Sequence, residues 1–471
     1  MKKLSCCNKI CCICDKVVLA LLCVLMADCA ILGSGRAFTI GPLGLRMVWF
    51  GLLMAFSIPL IFQQLPKLLK NRILWVLAAF AAWLALQAVL GYCRGNHRAL
   101  LAGDLKGFAY FVAILPALCV LNTKKRVHLL MKVIMYANAL LAAAAFILLL
   151  MYNGNPKLFN RIAVWDIEHH ITMFAAASSR VPRLFFKSTP YFLTTCAFPI
   201  YFAIVEKKAV RFWLYPLMVG LSLFALLLSY TRSVYLAVLV ALVFVIPVFW
   251  LALKKDGRKR FAAFIGISLV ACLLLVGTCT MIFRENYFAY ALDRVGLTFH
   301  DEANQSSASK PSGSTTQKPS TSDPTKENKP ISDKLNQNFQ NSTLESDKTR
   351  AETTAELTKH IRSAPIFGHG LGKALETRNG TANEYIYLDI WMKTGIIGLL
   401  LFLAPVGILL VKLVKKIREK SENAVLIAAW MTVLLGFMAF SWFNPYMNAA
   451  LGILFLCCTI GVVCACDKET N

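Results

Sequence analysis

Two arginines are the side chains of this chain whose positions most strongly indicate chemistry. Arg232 lies in the segment 229–233, Ser-Tyr-Thr-Arg-Ser, between two long apolar runs. Arg350 begins a second cationic segment, 350–372, which ends in a glycine-rich stretch. An arginine at the end of a membrane helix is costly unless it has a partner or a function, and its planar fork of donors fits a phosphate. The pair therefore predicts a binding site for a phosphate group at the outer membrane surface.

The elements that must position these arginines are membrane helices. Hydrophobic residues make up 58% of the 471 residues and the mean hydropathy is +0.60, which excludes a soluble globular protein. Apolar runs of about 20 residues recur, and this length crosses roughly 30 Å of hydrocarbon. We predict an all-α, polytopic integral membrane protein with about twelve transmembrane helices. The predicted helices are residues 17–34, 45–63, 73–92, 106–122, 128–151, 189–206, 213–229, 233–253, 261–283, 388–411, 424–442 and 447–466.

Lysine and arginine predict the orientation of these helices. Basic residues concentrate in every second connection, and such loops face the cytoplasm. Both termini are then cytoplasmic. The net charge of +25 is mostly this orientation signal together with contact to anionic lipid, so we expect no nucleic-acid partner. The basic segments lie at residues 2–16, 67–72, 124–126, 207–211, 254–260 and 412–420.

The distribution of cysteines agrees with this orientation. None of the 16 cysteines lies in 284–387, the longest predicted external segment. Most lie in predicted helices or on the cytoplasmic side, where thiols stay reduced. The cysteine cluster at 6–14 fits no standard zinc spacing, so reduced thiols near the membrane interface are favoured over a metal site.

One large external segment divides the chain. We predict a first membrane domain over residues 1–283, an extracytoplasmic loop over 284–387 between the ninth and tenth helices, and a second membrane domain over 388–471. Residues 301–345 are rich in Ser, Thr, Pro, Lys, Gln and Asn, and such a stretch cannot bury enough apolar surface to fold. We interpret it as a disordered insertion and expect it to be dispensable.

Helical periodicity returns after the insertion. Asp347 is a suitable N-cap and Pro365 ends the helix. Arg350 shares a face of this helix with Leu357, which turns the arginine towards protein. Alternate glycines follow at 368–372, and they permit either close approach to a ligand or a tight turn. The stretch lacks the Gly-Lys-Ser/Thr ending of a nucleotide P-loop.

Several short motifs follow one another in a definite order. They are Arg-Leu-Phe-Phe at 183–186, Ser-Tyr-Thr-Arg-Ser at 229–233, Arg350 with Pro-Ile-Phe-Gly-His-Gly at 365–370, Asn-Glu-Tyr-Ile-Tyr-Leu at 383–388, and Gly-Ile-Ile-Gly at 395–398. This order resembles the O-antigen ligase and polymerase superfamily, whose members are polytopic bacterial membrane proteins that move glycans from polyprenyl diphosphate carriers. The resemblance is closest over about 215–400.

The resemblance implies that arginines hold the donor. In the family, arginines bind the diphosphate, and Arg232 and Arg350 match their positions. Arg183 and Arg180 are either further contacts to the substrate or anchors at the membrane interface. In the alternative interpretation, the side chain of Arg232 only extends to the membrane interface and binds no substrate.

The resemblance also implies a histidine near the acceptor, and this chain departs from it. The family's ligases have that histidine just before the asparagine of the Asn-Glu-Tyr motif, where this chain has Ala382. The departure favours a polysaccharide polymerase over a ligase. His369 and Glu384 are then the nearby candidates for an acceptor base.

The implied reaction is glycosyl transfer in polysaccharide assembly at the bacterial inner (plasma) membrane. The donor is a glycan on a polyprenyl diphosphate such as undecaprenyl diphosphate, and the acceptor is a hydroxyl of a glycan or of a second lipid-linked molecule. Two arginines neutralise the leaving diphosphate without a metal or another cofactor. A single displacement inverts the anomeric carbon.

Other functions compete with this interpretation. A metal site at 166–170, Asp-Ile-Glu-His-His, is disfavoured because adjacent histidines of a strand point to opposite faces. A lipid-linked oligosaccharide flippase or other transporter needs charged residues along a central cavity, and the predicted helices carry few. A purely structural or sensory function would leave the arginine and glycine residues at the end of the external loop, 350–372, without a role.

Overall fold

Apolar stretches form most of the molecule. The computed structural model describes residues 2–40, 43–176, 181–205, 209–295, 348–378 and 383–468. Helices dominate these residues, which confirms the all-α membrane fold. The helices are α1 (Lys2–Ile31), α2 (Leu45–Leu68), α3 (Arg72–Cys93), α4 (Arg98–Phe108), α5 (Ile114–Val120), α6 (Lys124–Gly154), α7 (Pro156–Glu168), α8 (Phe192–Val205), α9 (Ala209–Leu227), α10 (Arg232–Ala252), α11 (Lys255–Phe283), α12 (Tyr287–Val295), α13 (348–363), α14 (Ile386–Arg418), α15 (Ala424–Phe440) and α16 (Ala450–Lys468).

Each predicted membrane segment overlaps a helix of the structure. Among the described residues, eight helical segments are long and apolar enough to cross a membrane, and α8, α9 and α15 contain shorter apolar stretches. Several helices extend beyond the predicted boundaries; α1, for example, begins at Lys2 and α14 ends at Arg418. α11 begins at Lys255, because the basic residues before the apolar run are themselves good helix formers, and the helix predicted at 106–122 begins at Arg98 and passes through a 3-10 turn. The number of crossings and the side of each terminus stay predictions.

α15 and α16 lie at the centre of the helices. Both are apolar on every face, which is typical of a helix that is surrounded by others. Trp430 of α15 is fully buried, with its ring 5.0 Å from those of Phe198 and Phe455. Neighbouring helices, α8, α10 and α14 among them, pack around this buried pair.

A short antiparallel hairpin follows α7. Its strands are β3 (Thr172–Ala176) and β4 (Pro182–Phe186), after a smaller hairpin of β1 (Thr39–Ile40) and β2 (Leu43–Gly44) earlier in the chain. The Leu184 amide donates to the Leu228 carbonyl oxygen over 2.9 Å, so β4 packs beside the end of α9. Arg183 is thereby placed next to the connection between α9 and α10.

α14 is broken by Gly395, and the break receives the loop that follows α13. Gly395 has φ +71° and ψ 179°, a conformation that essentially only glycine adopts. A Cβ atom there would lie 1.9 Å from the Ile366 carbonyl oxygen, and one at Gly368 would lie 2.5 Å from the Gly395 nitrogen. These glycines therefore serve close packing of backbone on backbone.

Hydrogen bonds fill the gap that the break leaves in α14. The His369 amide donates to the Met392 carbonyl oxygen and the Ile396 amide donates to the Pro365 carbonyl oxygen, each over 2.9 Å. Asn96, just after α3, donates from Nδ2 to the His369 carbonyl oxygen over 3.0 Å. The loop thus joins α3 and α13 to the N-terminal part of α14.

Some sequence predictions concern residues outside the described part of the chain. They are the insertion at 301–345, the N-cap Asp347, Arg180, and Ala382 at the position of the ligase histidine. The division into domains at 283 and 388 also stays a prediction.

Candidate active site

A cavity of about 1050 Å³ lies where α10 begins and α15 ends. Its walls come from β4, the first turn of α10, α13, and the segments before α14 and after α15. Among the described residues that line it, five are cationic and none is acidic. The cavity is therefore strongly electropositive. Its cations are Arg183, Arg232, Arg350, Lys359 and Arg362.

The break between α9 and α10 brings two predicted arginines to one wall. Tyr230 has φ +44°, a left-handed conformation that reverses the chain after α9. Arg183 donates from Nε to the Ser229 carbonyl oxygen over 3.1 Å, and from a terminal nitrogen to Thr231 Oγ over 3.3 Å. Because Thr231 is the N-cap of α10 and Arg232 is its first residue, both guanidinium groups lie at the start of this helix.

The N-terminus of α10 adds backbone donors to this wall. Thr231, Arg232 and Ser233 all line the cavity. N–H groups in the first turn of a helix lack intrahelical acceptors and lie at the positive end of the helix dipole, so they attract anions. Asn444 donates from Nδ2 to Ser233 Oγ over 2.7 Å, which holds the segment after α15 against this turn.

α13 forms the opposite wall. Leu357 is fully buried, and together with Ile361 it packs against Met392 of α14. Full burial of a leucine contributes about 1.5–3 kcal/mol, so this face fixes the rotation of α13. Arg350 at the start of α13, and Lys359 and Arg362 further along it, also line the cavity.

Glu384 lies beside the cavity but is not one of its lining residues; its neighbour Tyr385 is. One carboxylate oxygen of Glu384 lies 3.7 Å from Arg350 Nε, and the other accepts from Arg378 over 2.9 Å. The side chain of Glu384 is 37% exposed. In this geometry Glu384 connects the start of α13 to the 3-10 turn at Glu376–Arg378.

His369 lies at the C-terminal end of α13 and is not one of the residues that line the cavity. Its Nε2 atom lies 2.9 Å from the His360 carbonyl oxygen and 3.1 Å from Ser363 Oγ. With a proton on Nε2, the imidazole donates to the His360 carbonyl oxygen in the last turn of α13, which also accepts from the Ala364 amide over 3.3 Å and from Ser363 Oγ over 2.8 Å. The contacts of His369 are thus those of a helix cap.

The middle of α13 is tied to the 3-10 turn by Glu356. Its carboxylate accepts from the Glu376 amide over 2.7 Å and from the Thr377 amide over 3.0 Å. Partial burial opposes ionisation, but the hydrogen bonds from Thr377 and Glu376 outweigh it and lower the pKa of Glu356. Burial also lowers the pKa of the adjacent His360, with Lys373 contributing in the same direction.

A buried ionic cluster lies under the loop that follows α13. Lys393 Nζ contacts Asp104 over 3.0 Å and Asp389 over 2.8 Å, and its side chain is 5% exposed. Asn383 donates to Asp389, and the Gly372 amide donates to Asp104 over 3.0 Å. The Asn383 of the Asn-Glu-Tyr motif therefore helps to satisfy a buried carboxylate, which would be costly without partners.

The acidic and histidine-rich segment 166–170 does not form a cation site in the described structure. Asp166 is buried at the end of α7 and accepts from Thr172 Oγ over 3.2 Å, and burial raises its pKa. His169 stacks on Trp165, with the two rings 4.2 Å apart. Within the described ranges no group of three His, Cys, Asp or Glu residues is arranged to hold a metal ion.

Sequence reasoning missed Lys359, Arg362 and the ionic cluster. The sequence contains a pattern that indicates the two cations and another that indicates the cluster. Lys359 and Arg362 are three residues apart, which places them on one face of the predicted helix, and Asp389 and Lys393 are an i,i+4 pair at the start of an apolar run. Neither pattern by itself distinguishes an ordinary solvated helix face from a site.

Residues 217–403 match the O-antigen ligase family. The matched region begins in α9 and ends in α14, so it contains Arg232, Arg350, Lys359, Arg362 and the ionic residues of α14. It confirms the superfamily that the motifs indicated. Comparison with curated proteins gives no match.

The family match supports a bacterial integral membrane protein of glycan transfer, a ligase or a polymerase in general terms. It supports a part in polysaccharide biosynthesis with lipid-linked glycans as substrates. Four of the five cations that line the cavity lie within the matched region, and Arg183 precedes it.

Proposed function

We propose that the protein transfers a glycan from a polyprenyl diphosphate carrier to a hydroxyl acceptor, and that the cavity holds the diphosphate. The observation that supports this most is the convergence of Arg183, Arg232 and Arg350 from three separate elements on one cavity without acidic lining residues among those described. Three guanidinium groups and the N-terminus of α10 match the charge of a diphosphate, because arginine pairs with phosphate through two parallel hydrogen bonds.

The chemistry follows from the charge that develops on the leaving group. The acceptor oxygen forms a bond to the anomeric carbon while the bond from that carbon to the phosphate oxygen breaks. The diphosphate leaves with the electron pair, and the hydroxyl proton passes to a base or to water. Arginines that are already in position stabilise the growing negative charge, and loss of one such donor typically costs about 10²–10³ in rate.

An apolar groove beside the cavity suits the carrier's hydrocarbon tail. The groove has a volume of about 420 Å³ and lies between α10, α14 and α15. Tyr387 and Trp442 line it, while their near neighbours Tyr385 and Phe443 line the cavity. We propose that the polyprenyl tail lies along this groove and that the diphosphate turns into the cavity at Tyr385.

We propose polymerisation, with a second lipid-linked glycan as the acceptor. The support is Ala382, which stands where family ligases have a histidine. His369 and Glu384 stay candidates for the acceptor base. Since His369 contacts the end of α13 and Glu384 contacts Arg350, we favour Glu384 as a residue that positions an arginine.

Reconstitution with a single substrate tests this proposal. The purified protein in lipid nanodiscs receives one lipid-linked repeat unit and no second acceptor, and the products are separated by size. A polymerase yields a ladder of longer glycans that are still attached to the carrier. The Arg232→Ala variant is expected to yield none, at normal abundance and with normal thermal stability.

Two results would contradict the proposal in different ways. If nothing lengthens until a chemically distinct acceptor is added, and one transfer then occurs, the protein is a ligase. If vesicles containing the protein move the lipid-linked glycan across the bilayer without altering it, a flippase is the correct class.

A further inference from the structure

A second cavity, of about 1070 Å³, lies at the other ends of the helices that support the candidate active site. α3 contacts the loop after α13 at Gly91 and reaches this second cavity at Ile73. These positions are 18 residues apart, or about 27 Å at 1.5 Å per residue. The loop after α13 and the second cavity are therefore separated by roughly the thickness of the hydrocarbon core.

The walls of the second cavity are apolar. They are formed by residues of α2, α3, α5, α14 and α16, and the apolar lining residues include Leu118, Ile408 and Val411. Val411 is 70% exposed, so this wall faces the surroundings of the helix bundle. A Cβ atom built on Gly407 would meet nothing within 4 Å, so this glycine leaves the wall open. A cavity of this kind accepts hydrocarbon.

The rim of the cavity is cationic. Lys67 lies in the last turn of α2, Lys70 in the connection that follows, and Arg72 at the start of α3, and all three are exposed. The acidic residue of the lining, Asp467, already contacts Lys412 over 2.7 Å. In the described part of the chain, no carboxylate pairs with Lys67, Lys70 or Arg72. Their charge is thus available to an anion.

We propose that this cavity binds an anionic phospholipid. The headgroup phosphate contacts Lys67, Lys70 and Arg72, and an acyl chain lies along Leu118 and Ile408. A soluble phosphate would gain nothing from the apolar wall, and a zwitterionic lipid would gain little from three uncompensated cations. Basic recesses between membrane helices with apolar walls are the usual sites for anionic headgroups. The site is independent of the glycan chemistry, because it lies at the opposite end of α3 and α14.

Lipid retention measured by native mass spectrometry tests the site. The purified protein is incubated with phosphatidylglycerol or with phosphatidylcholine, and the bound lipid is counted as detergent is removed. The wild type is expected to retain phosphatidylglycerol selectively. The triple variant K67Q/K70Q/R72Q is expected to bind it roughly 10- to 100-fold more weakly. The matched control K254Q/K255Q/K259Q removes three exposed lysines outside the cavity and is expected to behave as wild type.

A second variant tests the apolar part while it keeps every charge. Gly407→Leu places a side chain into the open wall, and Gly266→Leu is its control, because a Cβ there also meets nothing within 4 Å. Gly407→Leu should lose phosphatidylglycerol and keep its thermal unfolding temperature in detergent, whereas Gly266→Leu should keep both.

Several results would overturn the proposal. Equal loss of lipid in the two charge triples would mean that general surface charge attracts it. Equal retention of phosphatidylcholine would mean that no headgroup site exists. Displacement of phosphatidylglycerol by millimolar inorganic phosphate would identify a site for a free anion. Unchanged retention in Gly407→Leu would show that no acyl chain occupies the wall.

Discussion

Arg350 Nε lies 3.7 Å from the nearer carboxylate oxygen of Glu384. Glu384 also accepts a hydrogen bond from Arg378, so one carboxylate links the first turn of α13 to the 3-10 turn after the glycine-rich loop. Arg350 lines the cavity and Glu384 does not. This arrangement is that of a carboxylate which orients an arginine, and it differs from that of a base which faces the acceptor.

Glu384→Gln distinguishes these two roles. If Glu384 positions Arg350, the glutamine variant keeps one hydrogen bond, and KM for the lipid-linked donor is expected to rise roughly tenfold with little change in kcat. The pH profile of kcat then keeps its shape. A base would behave differently, since its loss lowers kcat by about 10²–10⁴-fold and removes the acidic limb of the profile. Steady-state kinetics between pH 5 and pH 9 decides between them.

Arginine geometry at the cavity is tested by conservative substitution. Arg232→Lys and Arg350→Lys keep the charge but lose the planar fork, so each is expected to lower kcat/KM by about 10²-fold or more. Arg161→Lys is the control, because Arg161 is exposed on α7 and does not line the cavity. Near-normal rates for both lysine variants would show that charge alone suffices and that the diphosphate is not held by paired hydrogen bonds.

Much of this site could be predicted because each arginine has a local signal. Arg232 follows a long apolar run, and Arg350 begins an amphipathic helix that returns after a polar insertion. The assignment of Lys359 and Arg362 to the cavity depends on the rotation of α13, which Leu357 fixes through contacts to α14. No periodic pattern in the sequence contains that information.

Contacts between distant segments were also beyond sequence reasoning. Lys393 and Asp104 are 289 residues apart, yet they form the centre of a buried cluster. The alternate glycines at 368–372 left two explanations open, a ligand or a tight turn. A Cβ atom on Gly370 would lie 2.5 Å from the Gly91 nitrogen. Close packing of the loop on α3 therefore explains the glycine at position 370 without a ligand.

The break in α14 is expected to tolerate no side chain. Gly395→Ala places a Cβ 1.9 Å from the Ile366 carbonyl oxygen and imposes a φ of +71° on alanine. A backbone strain of this kind costs on the order of 1–3 kcal/mol even without the clash. The thermal unfolding temperature in detergent should fall clearly, whereas Gly407→Ala, which meets no atom within 4 Å and replaces a glycine inside a helix, should keep it or raise it slightly. Equal unfolding temperatures for the two variants would contradict the close contact between the loop and the helix break.

The docking of α13 is expected to weaken in acid. Burial lowers the pKa of His360 below its usual value of 6.5, so the neutral imidazole stabilises the folded state. As the pH falls from about 6.5 through the folded pKa, the unfolded state binds a proton at His360 more readily than the folded state does. The free energy of unfolding therefore decreases over this pH range. Hydrogen exchange of residues 348–363 should therefore be faster at pH 5 than at pH 7.5. His360→Gln should show a smaller difference, and an equal difference would assign the effect to another group.

Lys359 and Arg362 are expected to contact a second anionic group. They follow Arg350 by nine and twelve residues on α13, which separates them from it by about 14 and 18 Å along the helix axis. The two phosphorus atoms of a diphosphate share one bridging oxygen, so a diphosphate at Arg350 reaches Arg362 only if both arginine side chains extend towards each other along the helix. The second group would belong to the acceptor or to a charged sugar of the donor.

The double variant K359Q/R362Q should therefore raise KM for the lipid-linked substrate roughly tenfold while kcat stays within about twofold. Raising the salt concentration should increase KM of the wild type more than KM of the variant, because salt screens exposed charges. The double variant K157Q/R161Q is the matched control, since it removes two exposed cations from α7 outside the cavity. If both variants change KM equally, overall charge explains the effect. If K359Q/R362Q lowers kcat and leaves KM unchanged, these residues act on the leaving diphosphate in the transition state, and the second anion site is excluded.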